Sequence, residues 1–416
     1  MTNNKINDSV PQIRFPEFMD EWKETKFKDI FCRVTSKNKE NNQNILTISA
    51  QYGLVSQDKF FSKIVAAKNV QGYYLLHKND YAYNKSYSKG YPVGAIKRLT
   101  QNKGVVSTLY ICFSLKQSGS EVFFDQYFES GKHNREIQKI AQEGARNHGL
   151  LNMSIDDFFN TKLIVPSVAE QQKIAAFLAA VDKRVALLEC KAQQLEAYKR
   201  GVMQQLFSQQ LRFTRLDGSH FPVWQEKRLG GIGVTYSGLS GKSGPDFGVG
   251  SPYITYVQIF QNSYIQGSFG SVGIRPNEKQ NKVQKGDIFF TTSSETPYEV
   301  GYTSVLLAAP KKDTYLNSFC FGYRLKDKNT LLPEFAQYLF RSIGVRRNIV
   351  RLAQGSTRYN ISKKSVMSLT IRLPLLEEQQ KIAEFLSALD EKIALTRQQL
   401  DKTKQFKKGL LQRMFV

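Results

Sequence analysis

The stretch EQQKIAAFLAAVD occupies Glu170–Asp182, and EQQKIAEFLSALD occupies Glu378–Asp390, 208 residues later. The match keeps that offset downstream, where KRGVMQQLF (Lys199–Phe207) meets KKGLLQRMF (Lys407–Phe415). It also holds upstream, where Pro166 meets Pro374 and NMS (Asn152–Ser154) meets NIS (Asn360–Ser362). Further up the offset drifts. KNDYAYNKS (Lys78–Ser86) meets KGDIFFTTS (Lys285–Ser293) at 207, and EWKETKFKDI (Glu21–Ile30) meets VWQEKRLGGI (Val223–Ile232) at 202, around the only two tryptophans. A period this long means two duplicated domains rather than a solenoid of short repeats.

The repeated tail has the spacing of a long helix. Ile174, Leu178, Val181, Val185, Leu188, Ala192, Leu195, Lys199, Val202 and Leu206 alternate steps of four and three, and nine of these ten are apolar. The second copy reads Ile382, Leu386, Leu389, Ile393, Thr396, Leu400, Thr403, Lys407, Leu410 and Met414. That is a heptad seam, which needs a partner helix. Pro166 and Pro374 sit before each tail, where proline ends a strand and sets a helix entry. The reading favoured is that the two tails pair with each other as an antiparallel coiled coil with a pseudo-two-fold relation. The plainer reading is two amphipathic helices, each packed on its own domain.

The bodies between the tails read as α+β. DYAYNKSYSKGYPVGAI and DIFFTTSSETPYEVGYT have strand–loop–strand patterning, VVSTLYICFSL and YLNSFCFGYRL supply further strands, and FFDQYFES and LPEFAQYLFRSI read as helices. The expected organisation is a first α+β body with a short arm over 1–165, a central helix over 166–210, a second body over 211–373 and a C-terminal helix over 374–416. The frames match while the loops have diverged, as suits a duplicated reader better than a duplicated enzyme.

Lys and Arg outnumber Asp and Glu by 59 to 36, a net charge of +23, so a polyanion is the expected partner. Cys32, Cys112, Cys190 and Cys320 lie far apart with no CxxC pair, which predicts reduced, buried thiols in a cytoplasmic protein. The first ten residues lack an apolar core, so no signal peptide is expected, and no apolar run is long enough for a membrane span.

Catalytic and cofactor motifs do not emerge. SGLSGKSGP (Ser237–Pro245) contains GKS, but a phosphate cradle needs glycine where Tyr236 stands. The tetrapeptides [NDS]PP[YFW] of amino-methyltransferases are absent, and the four histidines are scattered singly, without metal spacing. Glu24-Thr25-Lys26 resembles half of a nuclease ExK motif, but its copy is Glu226-Lys227-Arg228, which favours surface charge. The chain is expected to be no enzyme and to bind neither metal nor cofactor itself.

DNA-competent chemistry gathers in two segments of each body. One follows the KxD strand: Asn84–Pro92, with Lys85, Ser86, Tyr87, Lys89 and Tyr91, and Thr291–Glu299, with Thr292, Ser293, Ser294 and Glu295. The other precedes the tail: Gly144–Ser154, with Arg146, Asn147 and His148, and Gly355–Ser362, with Thr357, Arg358 and Tyr359. Lys242 is a further candidate. Lysine and arginine donate to guanine or phosphate, Ser and Thr suit several base edges, and glutamate accepts from cytosine N4. Solvated polar loops of similar composition are the plain alternative.

At this point the chain resembles a specificity subunit of type I restriction–modification systems, over essentially its whole length. The likeness is carried by LIVPSVAEQQKIAAFLAAVDKRV and IRLPLLEEQQKIAEFLSALDEKI, and by GLSGKSGPDFGVGSPYITYVQIF (Gly238–Phe260), which is similar to the opening of many target-recognition domains. The resemblance implies two target-recognition domains and two helical spacers, without catalysis of their own. It implies double-stranded DNA with a bipartite target as ligand. It also implies two adenine-N6 methyltransferase subunits that bind S-adenosylmethionine, and two translocase–nuclease subunits that use ATP and Mg. The individual DNA-contact residues rest on their own chemistry, since loops vary too much to transfer. A basic coiled-coil scaffold with non-specific DNA affinity, or the recognition module of a related fused system, is the alternative.

Overall fold

The computed structural model describes residues 9–60, 69–116, 119–143 and 151–416. The chain divides into two compact units, the first made of residues 1–189 and 398–416, the second of 190–397. Each is described in turn.

In the first unit, an antiparallel sheet runs in the order Phe31–Arg33, Ile111–Leu115, Tyr81–Asn84, Ala95–Arg98. Alternation decides its faces, because successive side chains of a strand point to opposite sides. Tyr81 and Tyr83, with Ile111 and Phe113, join a core of Phe27, Phe31, Phe123 and Phe158. Ala82 and Cys112 between them face a second, smaller core of Leu46, Leu76 and Val106. The sheet is thus covered on both faces, which explains why Tyr81–Tyr83 reads as an unbroken apolar run.

The second unit repeats the plan: Gly233–Ser237, Cys320–Leu325, Ile288–Thr291, Thr303–Val305, all antiparallel. Ile288, Phe290, Phe321 and Tyr323 face the larger core, and Phe289 and Cys320 the smaller. A two-stranded ladder recurs as well: Lys23–Lys26 with Lys162–Val165, and Gln225–Arg228 with Thr370–Leu373. The units differ on the far side of the sheet. The first carries a hairpin, Leu46–Ser49 with Gly53–Ser56, and a ladder of Tyr74–His77 with Lys103–Val106. The second carries Gly270–Val272, Phe247–Ile254 and Tyr315–Leu316, the last two parallel.

The two long helices are Val168–Phe207 and Leu376–Arg413. All the seam positions are buried or half-buried. In the first unit Ile174 and Leu178, near the start of one helix, share a core with Leu410 and Met414, at the end of the other. In the second unit the equivalents Ile382 and Leu386 share a core with Val202 and Leu206. Each unit therefore contains an antiparallel helix pair. The two lysines that interrupt the seam are accounted for by reciprocal ion pairs. Lys407 reaches Asp182 at 2.5 Å in the first unit, and Lys199 reaches Asp390 in the second. A half-buried ion pair in a seam favours one register and orientation, since only one alignment pairs it.

The repeated Glu-Gln of the opening phrase is a fastener. Glu170 accepts from Arg14 Nε and Nη2, both at 2.8 Å, and from Trp22 Nε1 at 3.2 Å. Glu378 accepts from Arg212 Nε at 3.1 Å and Nη2 at 2.8 Å, and from Trp224 Nε1 at 3.2 Å. Gln171 donates to the Pro166 carbonyl, and Gln379 to that of Pro374. Each helix start is tied to its own body. Sequence reading aligned the tryptophans but gave no role to Arg14, Arg212 or the glutamates.

One expectation changes and another, the surface-charge reading of the ExK-like residues, holds. Cys112 and Cys320 are buried on the far face of each sheet, but Cys32 and Cys190 are exposed, because one lies on an open strand face and the other outside the helix seam. Glu24 pairs with Lys162, and Glu226 with Arg372, across the two-stranded ladders, so the ExK-like residues serve as cross-strand ion pairs.

His133 gives the first unit a pH dependence. It is buried among Phe27, Phe128 and Phe158, with ring centroids 5.6 to 6.2 Å away, and burial pushes its pKa down from 6.5 to about 4. Between those values the unfolded chain holds a proton that the folded chain refuses, so stability falls as pH drops through that window. The loss across the full window is about 3 kcal/mol. In urea titrations followed through Trp22 in a Trp224→Phe background, the protein with His133 should lose that much more stability than His133→Gln between neutral pH and pH 4. Equal losses in the two proteins would refute it.

Candidate nucleic-acid interface

In the second unit the two candidate segments are zipped together. Ser293 and Ser294 pair antiparallel with Asn360 and Tyr359, and Ile361 N donates to the Thr292 carbonyl at 2.9 Å. The turn that presents Arg358 depends on Gly355, at φ +122°, where a Cβ would lie 2.1 Å from the Arg358 carbonyl oxygen; only glycine fits. In the first unit Leu151 N donates to the Lys85 carbonyl at 3.0 Å, so the corresponding segments also meet.

Around the second unit's segments lies an open cleft of about 350 Å³, lined by Tyr256, Phe260, Ser293, Ser294, Glu295, Glu299, Phe319 and Arg358. Its polar groups fall into two sets. Glu299 is occupied, accepting from Ser294 Oγ at 3.2 Å and Thr296 Oγ1 at 2.8 Å. Thr292 donates its hydroxyl to the Phe319 carbonyl. Glu295 and Arg358 are exposed, and among the described residues their side chains make no hydrogen bond or ion pair. Ser293 Oγ is buried with no partner among the described residues. Thr357 is exposed, whereas Tyr359 packs half-buried on the larger core.

Two arginines missed in the sequence hold the cleft's supporting loops. Arg341 donates to the carbonyls of Thr303, Ile259, Phe260 and Asn262 at 2.7 to 3.1 Å. Arg346 donates to Tyr298, Val300 and Gly301 at 2.6 to 2.9 Å. Both guanidinium groups lie against the Tyr302 ring, 5.0 and 4.4 Å from its centroid. Burial lowers the pKa of Arg341 to about 10 and lowers that of Arg346, so Arg341 remains charged at neutral pH. Arg346 ties the end of the loop that carries Glu295, and Arg341 ties the segment that carries Phe260. Their signal in the sequence is slight: RSIGVRR carries no nearby carboxylate, which leaves backbone carbonyls as the available partners.

In the first unit Tyr87 and Lys89 are exposed, and Lys85 and Ser86 are half-buried. The lysine amines of 85 and 89 make no ion pair among the described residues. Tyr91 is tied inward, donating to Glu129 at 2.7 Å under the Lys97 amine. Arg146, Asn147 and His148 lie outside the described residues.

Lys242 is a correction. Its side chain is 3 % exposed and donates to Glu278 and the Gly273 carbonyl, both at 2.6 Å. That hydrogen bond holds the Glu278 carboxyl at about 2. The amine is consumed in closing a loop, so it is not available to a phosphate. Among the described residues no group of three or more His, Cys, Asp or Glu could hold a metal ion, and no helix is long and apolar enough to cross a membrane.

Comparison with known proteins bears on what the duplicated frame carries. The family model for the type I restriction modification DNA specificity domain matches residues 19–197 and, a second time, residues 223–405. The chain belongs to this family. It is a type I restriction–modification specificity subunit with two DNA-recognition domains, one for each matched range. The type I restriction enzyme MjaVIII specificity subunit of Methanocaldococcus jannaschii is 21 % identical over 347 residues, covering 78 % of this chain and 73 % of the relative. A second specificity subunit of that organism, the putative MjaX subunit, is 24 % identical and covers 75 % and 68 %. Among solved structures, the S subunit from M. genitalium superposes with a TM-score of 0.53 at 15 % identity, covering 98 % of this chain and 99 % of the other. A chain from a structural study of assembly and conformational transition in a type I system gives 0.58 at 17 %, covering 95 % and 97 %. The structural likeness supports the fold: two duplicated α+β domains with long helices.

Proposed function

We propose that each recognition domain reads one half of an asymmetric, bipartite DNA target, and that the paired helices set the gap between the halves. In this reading the chain has no catalysis of its own. The helices dock two adenine-N6 methyltransferase subunits, which bring S-adenosylmethionine, and the translocase–nuclease subunits join with ATP and Mg. One observation carries the reading: the two units share a sheet order and fasteners, yet differ in charge where the candidate segments meet. The first domain offers the amines of Lys85 and Lys89, unpaired among the described residues, where the second offers the carboxylate of Glu295. A shared frame with different polar faces is what two different half-sites require, since base edges are read by side-chain donors and acceptors.

The test is N6-methyladenine mapping on DNA modified by this chain with its cognate methyltransferase subunit. The expected outcome is methylation at a two-part motif with unequal halves. Exchanging Asn84–Pro92 and Gly144–Ser154 for the loops of a relative should change one half and leave the other. An assembled complex that methylates without a motif would favour a basic scaffold instead.

A further inference from the structure

We infer that Glu295 and Arg358 together read one G·C base pair in the half-site of the second domain. The inference rests on the proposed reading of DNA by that domain and adds the base pair and the residues that choose it. Both side chains line one cleft. Both are exposed and, among the described residues, unpaired, although they carry opposite charges. A carboxylate at a DNA-facing cleft repels phosphate, so Glu295 is misplaced for backbone contact and well placed for a base edge that donates. In the major groove the donors are cytosine N4 and adenine N6. The guanidinium fork of Arg358 asks for two acceptors side by side, which guanine O6 and N7 provide. A single G·C pair satisfies both residues at once. An A·T pair presents no such pair of adjacent acceptors on one base and leaves the fork half-used.

The supports are rigid. Arg358 sits on the Gly355 turn, and Glu295 on the loop held by Glu299 and Arg346. Neither residue has to be ordered from a mobile tail on binding, which preserves discrimination.

The experiment uses the complex assembled with its methyltransferase subunit and duplexes carrying the mapped motif. Each G·C pair of the second half-site is replaced in turn by A·T, or its guanine by 7-deazaguanine, which lacks the N7 acceptor. Wild type should lose affinity about ten- to a hundredfold at one such pair. Arg358→Ala should flatten the response at that pair to both changes, and Glu295→Ala the response to A·T, with the other positions unchanged. Arg358→Ala removes the donors altogether, so uniformly weaker binding with an unaltered base profile would make Arg358 a phosphate contact and overturn the inference. An unaltered profile in Glu295→Ala would overturn it equally. In both cases the wild-type motif would stand, which separates this failure from failure of the proposed function, where wild type itself shows no motif. Unchanged Trp224 fluorescence of both variants, in a Trp22→Phe background, confirms that the domain is folded.

Discussion

Glu378→Ala should destabilise the second unit by about 3–5 kcal/mol, the usual cost of leaving a buried charge without its partner. The carboxylate is 1 % exposed and takes two bonds from Arg212, itself 22 % exposed, and one from Trp224. Its removal strands a guanidinium and an indole N–H where water reaches poorly. The chain has two tryptophans, one bonded to each fastening glutamate. In a Trp22→Phe background the fluorescence transition in urea therefore reports the second unit alone, avoiding the assumption that a two-unit chain unfolds in one step. Glu170→Ala in a Trp224→Phe background should do the same to the first unit. Combining Glu378→Leu with Arg212→Met should recover part of the loss, because replacing both charges with packed apolar groups avoids the stranded ion. A midpoint shift equivalent to less than about 1 kcal/mol in Glu378→Ala would show that the fastener contributes little.

The fastener also shows what the sequence could and could not reveal. The repeat of EQQKIA was plain, and the heptad seam followed from spacing, because helical periodicity is a local property of the chain. The matching sheet strands were legible for the same reason. What escaped notice depends on long-range meetings. Arg14 lies 156 residues from Glu170, and Arg212 lies 166 from Glu378. Nothing local marks either as a partner. Arg341 and Arg346 escaped because their partners are backbone carbonyls, which every residue has. Lys242 misled in the opposite sense: a lysine in a glycine-rich loop looks available, and only the approach of Glu278 shows that it is occupied. The candidate segments were found by composition, but the meeting of Ser293 with Asn360 needed the fold.

Adding one heptad to both long helices should lengthen the gap of the target by about three base pairs and leave both half-sites intact. Seven helical residues add about 10.5 Å, and DNA rises about 3.4 Å per base pair. The insertions belong at Leu188–Leu195 and at the repeat-equivalent Thr396–Thr403, away from the fasteners and from the pairs Asp182–Lys407 and Lys199–Asp390. A whole heptad keeps each seam residue on its own face, whereas an insertion of five residues would rotate the seam out of contact. Both helices have to change together, because lengthening one alone puts a seam lysine seven residues out of step with its aspartate. Methylation mapping of the paired insertion reads the gap directly, and a matched pair of heptad deletions should shorten it by the same amount. If the longer protein assembles and methylates at the original spacing, helix length does not set the gap, and the spacing must come from the domains themselves.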